Sequence, residues 1–318
     1  AVMPFIVSGG IAGGCAIPGV MATRTLRSPK ERLATILTLP FMTCGAKLPV
    51  FLLFVGIFFQ ENQAMIMFLL TLTGWCTALL TARILRSTLI RGEATPFVME
   101  LPPYRMPILA GVCIHAWERI WQYIKKAGTI ILAISVLIWA AMTFPGLPGD
   151  RAEHYAAEQA RVSENVEQDG KARQEALDSL KNEEKREALR FSLAGRLGAA
   201  LEPITRLAGF DWRANIALLA GIAAKEVVVS TLGTAYSLGE VGAEEAEGLA
   251  AQIRADGHWN IANAVALLLF TLLYSPCFPT LAVIRHETNQ WRWMFFSLFF
   301  NLAVAFGVST AAYQLLRV

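Results

Sequence analysis

Charge is scarce in this chain. Of its 318 residues only 17% are Asp, Glu, Lys or Arg, against about a quarter in an ordinary soluble domain, and this argues against a soluble enzyme. Nineteen of those charges, 11 acidic and 8 basic, fall between Asp150 and Arg190, so long stretches elsewhere are nearly uncharged. A disulfide framework is also missing: the five cysteines (Cys15, Cys44, Cys76, Cys113, Cys277) are odd in number, far apart and set in or beside apolar sequence. The opening Ala1 to Val20 has no basic n-region and does not read as a signal peptide, and the chain is expected to start partway through a longer protein. No C-x-x-C or H-E-x-x-H pattern occurs. Gly9 to Gly14 has the G-x-x-x-x-G spacing of a phosphate loop, but Cys15 and Ala16 follow where Lys and Ser or Thr are required, so no nucleotide site is encoded there. The net charge of +3 is small and dispersed, which excludes nucleic acid as an expected partner.

What is present is apolar sequence in long runs. These lie at roughly 1–22, 33–59, 64–82, 127–144, 214–236, 260–284 and 294–316, and most approach the roughly 20 residues that a helix needs to cross a bilayer. Unpaired backbone groups are costly in lipid, so runs this long and non-alternating imply helices. Trp212, Trp259, Trp291 and Trp293 each stand just ahead of a run, where an amphipathic ring suits the headgroup region. Residues 83–126 carry seven Lys or Arg against three acids, which places this loop in the cytoplasm. Within it Trp117, Ile120, Trp121 and Ile124 follow helical spacing opposite Glu118, Arg119, Gln122 and Lys125, and predict a helix lying on the membrane. A crossing at 127–144 then puts the charged stretch 145–213 outside the cytoplasm, as a solvated helix or helical pair after Pro145, Gly146, Pro148 and Gly149. The expected fold class is an all-α polytopic bundle: a first membrane region over 1–82, the loop 83–126, one crossing, the insert, and a second membrane region over 214–318.

Several runs hold residues that a simple membrane helix avoids. Gly9, Gly10, Gly13 and Gly14 precede Cys15 and Pro18, with Arg24 close behind; Pro40 and Pro49 bracket Thr43, Cys44 and Lys47. Proline removes a backbone donor, and the carbonyls it frees need protein, water or an ion, so such breaks belong at a lined cavity. The glycines alone fit close helix packing. In the second half Lys225 and Glu226 interrupt one apolar run, and Tyr274, Ser275, Pro276, Cys277 and Pro279 interrupt another. A charge at mid-membrane costs at least about 2.5 kcal/mol, so it faces a pathway or a partner. Cys15 to Cys44 is 29 residues and Glu226 to Cys277 is 51, the excess of 22 matching the polar loop 237–258. This reads as a degenerate internal repeat, and paired broken helices in two halves point to a site between them near the midplane. Three thiols and one carboxylate (Cys15, Cys44, Cys277, Glu226) suit a borderline transition metal better than magnesium or calcium. His154, His115, His258 and His286 add little.

Two stretches, Gly14-Cys15-Ala16-Ile17-Pro18-Gly19-Val20-Met21-Ala22-Thr23-Arg24-Thr25-Leu26 and Pro40-Phe41-Met42-Thr43-Cys44-Gly45-Ala46-Lys47-Leu48-Pro49-Val50, closely resemble the first gate region of the ferrous iron transport protein B (FeoB) family. Arg91 to Pro102, Ala224 to Val229 and Leu273 to Cys277 agree with it as well. The resemblance implies import of Fe2+ across a bacterial inner membrane by a multi-pass permease core. It puts the family's motif cysteines on Cys15, Cys44 and Cys277 and its motif glutamate on Glu226 as metal-path residues, with Pro18, Arg24, Pro40, Lys47, Pro49, Lys225 and Pro276 shaping the gates. Ala16 stands where the family commonly has Asn. Cys76 and Cys113 lie outside the motifs and are expected in the core. The family's GTP hydrolysis resides in an N-terminal domain not found in this sequence, so no catalysis is expected here and GTP would act through a GTP-binding domain in cis or trans. Lipid and a further copy of the chain complete the expected partners. Two rivals are a gate-type transporter of another solute such as a nucleoside, and a membrane subunit that scaffolds or senses without transporting.

Overall fold

The computed structural model describes residues 14–26, 28–90, 108–164, 170–236 and 246–317. Among them the regular structure is helical throughout. In chain order the α-helices are α1 (Ala16–Ala22), α2 (Pro29–Thr38), α3 (Leu48–Phe58), α4 (Gln63–Thr88), α5 (Leu109–Thr143), α6 (Gly149–Glu164), α7 (Gly170–Phe191), α8 (Leu193–Thr205), α9 (Trp212–Ala223), α10 (Val227–Ala235), α11 (Ala246–Ala255), α12 (Ile261–Leu273), α13 (Phe278–Thr288) and α14 (Trp291–Leu316). Gly9, Gly10 and Gly13 and the stretch Arg91 to Pro102 lie outside the described residues.

Four segments are long and apolar enough to cross a membrane: Pro29–Phe58, Gln63–Thr88, Ile261–Thr288 and Trp291–Leu316. The first and third are broken pairs and the second and fourth are unbroken helices, so each half of the chain runs as a broken span followed by an intact one. The chain is a multi-pass helical membrane bundle.

The intact helices show why. On α4 the buried positions are Leu70, Gly74, Ala78, Thr81 and Leu85, while Phe68, Leu72, Leu79, Leu80 and Ile84 are exposed. On α14 Ser297, Asn301, Ala305, Ser309 and Tyr313, four apart, face inward, and Phe295, Phe299 and Leu315 face outward. Large apolar groups outside and small or polar ones inside reverse the pattern of a water-soluble helix. It is the arrangement expected where lipid solvates the large side chains and close packing holds helices together. The inward hydroxyl of Ser309 donates to the Ala266 carbonyl of α12 at 2.8 Å.

Local sequence sets the helix ends. Ser28 caps α2, with Pro29 at its first position and the Ser28 hydroxyl accepting from the Glu31 N–H. Asp211 caps α9 and Asn260 caps α12 in the same way, each side chain accepting a backbone N–H at 2.9 Å. Before α9 the chain turns at Gly209, whose φ of 79° suits glycine and whose missing side chain leaves room for the Tyr313 ring.

The surface helix expected before residue 127 and the crossing expected at 127–144 are one continuous 35-residue helix, α5. No proline lies between Ile108 and Phe144 to separate them. Trp117 and Trp121 stay exposed on it, their rings stacked with centroids 6.3 Å apart. The charged stretch forms a helical pair: α6 and α7 are joined by an Arg151–Glu187 ion pair and by Gln159, which donates to Glu184 at 2.8 Å. The polar segment before Trp259 contains α11, and Asp256 beyond it accepts from Arg213 at 2.6 Å and from the Tyr236 hydroxyl at 2.8 Å.

Candidate functional site

Each of the four donor residues singled out in the sequence stands at a backbone break, immediately ahead of a helical turn. Cys15 is extended and precedes α1. Cys44 is extended and precedes the 3₁₀ turn Gly45–Lys47 that opens α3. Glu226 precedes α10, after an extended Ala224 ends α9. Cys277 precedes α13, after Tyr274 ends α12. None of the four side chains makes a capping hydrogen bond to its own helix.

All four line one cavity of about 230 Å³, together with Pro40, Lys47, Lys225 and Pro276. Residues more than 200 positions apart in sequence thus meet where both halves of the chain are unwound. Met42 and Thr280 join the lining without having been singled out; the Thr280 hydroxyl lies 3.1 Å from Cys277 Sγ. Gly45, Ala46 and Ala16 contribute small surfaces that leave the space open. Ala16, where the resembling family commonly has Asn, gives the cavity a methyl group in place of a donor or acceptor.

The donors share the space without forming a closed shell. Among the described residues no three His, Cys, Asp or Glu side chains come together as a metal-holding group. Cys15 and Glu226 are exposed and Cys44 and Cys277 partly so. The helical turns that begin here turn partial positive charge toward the cavity.

Lys47 and Lys225 are the buried charges of the site, 1% and 3% exposed. The Lys47 ammonium donates to the carbonyls of Pro40 (3.3 Å), Met42 (3.0 Å) and Leu272 (2.6 Å). Lys225 sits over the Tyr274 ring, 4.3 Å from its centroid, and beside Lys47. Its neighbour Glu226, in the same non-helical turn, is exposed.

Arg24 is elsewhere. It forms a two-pronged ion pair with Glu287 on α13, whose second oxygen also takes Arg32 of α2 at 2.6 Å. Pro18 lies in the first turn of α1 and Pro49 in that of α3; both start helices and neither lines the cavity. Glu287 was hidden in the sequence because its partners lie more than 250 residues away. Cys76 and Cys113, expected in the core, are both exposed. The reason for Cys76 is the stripe Gly74, Ala78, Thr81 that marks the inner face of α4 and leaves position 76 off it. His286 is exposed, with Nδ1 3.7 Å from Glu287, and does not reach the cavity lining.

The gate family described as nucleoside recognition matches residues 1–58 and 124–291, and the C terminus of ferrous iron transport protein B matches 67–119. The chain is 38% identical over 309 residues to a protein of Porphyromonas gingivalis named Fe(2+) transport protein A/Fe(2+) transporter FeoB fusion protein, covering 95% of this chain and 36% of that protein. It is 35% identical over 302 residues to the Fe(2+) transporter FeoB of Helicobacter pylori, covering 94% and 46%. It is 36% identical over 297 residues to that of Campylobacter jejuni, covering 93% and 44%. The chain therefore spans less than half the length of these relatives. No solved structure matches it.

Proposed function

Because the chain belongs to the ferrous iron transport protein B family, as its gate-bearing membrane region, we propose that it forms the permeation core through which Fe2+ is imported across the bacterial inner membrane. The observation that carries this reading is the convergence of Cys15, Cys44, Glu226 and Cys277, from four separate breaks, on one cavity of about 230 Å³. Fe2+ is the cargo, and a borderline cation is suited to a mixed set of sulfur and carboxylate donors. A transporter must release what it binds, and donors that reach the ion a few at a time suit passage better than a closed four-ligand cage.

In this mechanism the prolines keep the chain unwound, the four donors offset the positive helix ends, and Arg24 with Arg32 fastens α1 and α2 to α13 through Glu287. Energy and control would come from GTP hydrolysis on a GTP-binding domain, in cis or in trans, and a further copy of the chain is a candidate partner. The gate match named for nucleosides invites a rival cargo. The described lining has neither an aromatic ring to stack on a base nor an amide to pair with one, and this favours the metal reading. The test is Fe2+ entry into cells or proteoliposomes with Cys15, Cys44, Cys277 and Glu226 each replaced. Loss of entry is expected; undiminished entry in all four variants would refute the proposal.

A further inference from the structure

The three carbonyls that hold Lys47 come from two different breaks. Pro40, in the 3₁₀ turn Leu39–Phe41, and the extended Met42 after it belong to the link between α2 and α3. Leu272 lies in the last turn of α12, where a helix would bring the N–H of the residue four positions on to its carbonyl. That residue is Pro276, which has no N–H. One proline thus frees the Leu272 oxygen, and the Lys47 ammonium takes it at 2.6 Å, the shortest of its three contacts. The other two oxygens lie at 3.0 and 3.3 Å, and the side chain is 1% exposed. Among the described residues no carboxylate forms an ion pair with Lys47.

Backbone carbonyls from unwound segments, converging on a positive charge inside a membrane bundle, are the chemistry of a cation station. Oxygen-only shells are what Ca2+ and Mg2+ prefer, whereas Fe2+ also accepts sulfur. We propose that the Pro40, Met42 and Leu272 carbonyls form a second, oxygen-only cation site beside the sulfur and carboxylate donors, and that Lys47 occupies it as a tethered plug. The ammonium and an oxygen-seeking cation compete for the same three oxygens. Lys47 thereby determines specificity: a cation with nothing but carbonyl affinity finds the station filled, while one that binds thiolate passes the cysteines without needing it. The inference rests on the reading of the cavity as a cation path.

The test uses the protein in proteoliposomes loaded with dyes for Ca2+ and for Fe2+. Wild-type and Lys47→Arg vesicles should exclude Ca2+, and Lys47→Met should admit it roughly tenfold faster. A Lys47→Met protein that elutes and melts like wild type and still excludes Ca2+ would overturn the plug. If Lys47→Met does not fold, the wild-type protein decides: acetylation of Lys47 by acetic anhydride, read by mass spectrometry, should rise severalfold in Ca2+ over choline at equal ionic strength, and equal labelling would overturn the proposal. Failure of wild type to admit Fe2+ would remove the path and the plug together. Fe2+ entry that survives loss of the thiols, combined with a Ca2+ leak in Lys47→Met, would sink the sulfur reading and leave the plug standing.

Discussion

Arg24 and Glu287, 263 residues apart in the chain, meet side to side: the guanidinium Nε lies 3.0 and 2.9 Å from the two carboxylate oxygens and a terminal nitrogen lies 2.5 Å from one of them. The Glu287 side chain is 2% exposed, and Arg32 completes its coordination. The pair ties the short helical segment behind Cys15 to the helix behind Cys277, two residues that sequence places in opposite halves.

That geometry makes Glu287 more costly to remove than either arginine. Glu287→Ala leaves two guanidinium groups facing each other without a counter-charge and should lower stability by about 2–3 kcal/mol, below the full value for a deeply buried pair because Arg24 is partly in solvent. Arg24→Ala should cost about 1 kcal/mol, since Arg32 still serves the carboxylate. Thermal unfolding in detergent, run as a double-mutant cycle, should give a clear coupling energy; additive losses would show that the two residues do not act together.

The donor set makes an internally controlled prediction. Replacing Cys44, Cys277 or Cys15 by Ser, or Glu226 by Gln, should lower Fe2+ entry on the order of 10- to 100-fold, the range seen when groups supporting metal binding are lost. Cys76→Ser and Cys113→Ser should leave entry unchanged, because both residues are exposed and neither lines the cavity. Equal sensitivity of all five cysteines in an uptake assay would point to a general thiol effect and not to a path.

Much of this site was legible before any coordinates. A proline, a lysine or a glutamate in an apolar run has a large cost in lipid, so Pro40, Lys47, Lys225, Glu226 and Pro276 advertised the breaks, and the degenerate repeat of the two halves, 29 and 51 residues with a 22-residue loop in the longer, pointed to a site shared by both. Partner choice was not legible. Lys47 was expected among the residues that shape the gates, but its three carbonyl partners depend on backbone directions no residue type encodes. Glu287 gave no signal in the sequence, because its arginines lie 263 and 255 residues away. The facing of Cys76 was available in the small-residue stripe of α4 but is masked in a helix apolar on every side.

Asp256 gives the acid response of the polar end of the bundle. Burial alone would push its carboxyl up, but hydrogen bonds from the Tyr236 hydroxyl and the His258 N–H and the charge of Arg213 together hold it below the usual 3.8. A carboxylate depressed in the folded state adds stability above its unfolded value, and that contribution disappears as pH falls through the folded one. Melting temperature should therefore decline as pH drops below about 4, and Asp256→Asn, lower by about 1–2 kcal/mol at neutral pH, should decline less. Parallel melting curves for the two proteins between pH 6 and pH 3, taken as roughly that range, would contradict the assignment.

Gly221 and Tyr274 supply the most specific packing test, because they join the end of α9 to the break behind α12. A β-carbon at Gly221 would fall on the Tyr274 hydroxyl and lie 2.5 Å from Val228 Cγ2. The ring of Tyr274 is wholly buried and carries Lys225 on its face, while its hydroxyl has no hydrogen-bond partner among the described residues. Gly221→Ala should therefore destabilise by about 1–3 kcal/mol, as overpacking does. Tyr274→Phe removes the obstructing oxygen and keeps the ring under Lys225, so alone it should be neutral or slightly stabilising. In combination it should recover part of the Gly221→Ala loss, the remainder belonging to Val228. Unfolding measurements on the two single variants and the double decide this: a double variant no more stable than Gly221→Ala would mean that the hydroxyl is not what excludes the methyl group.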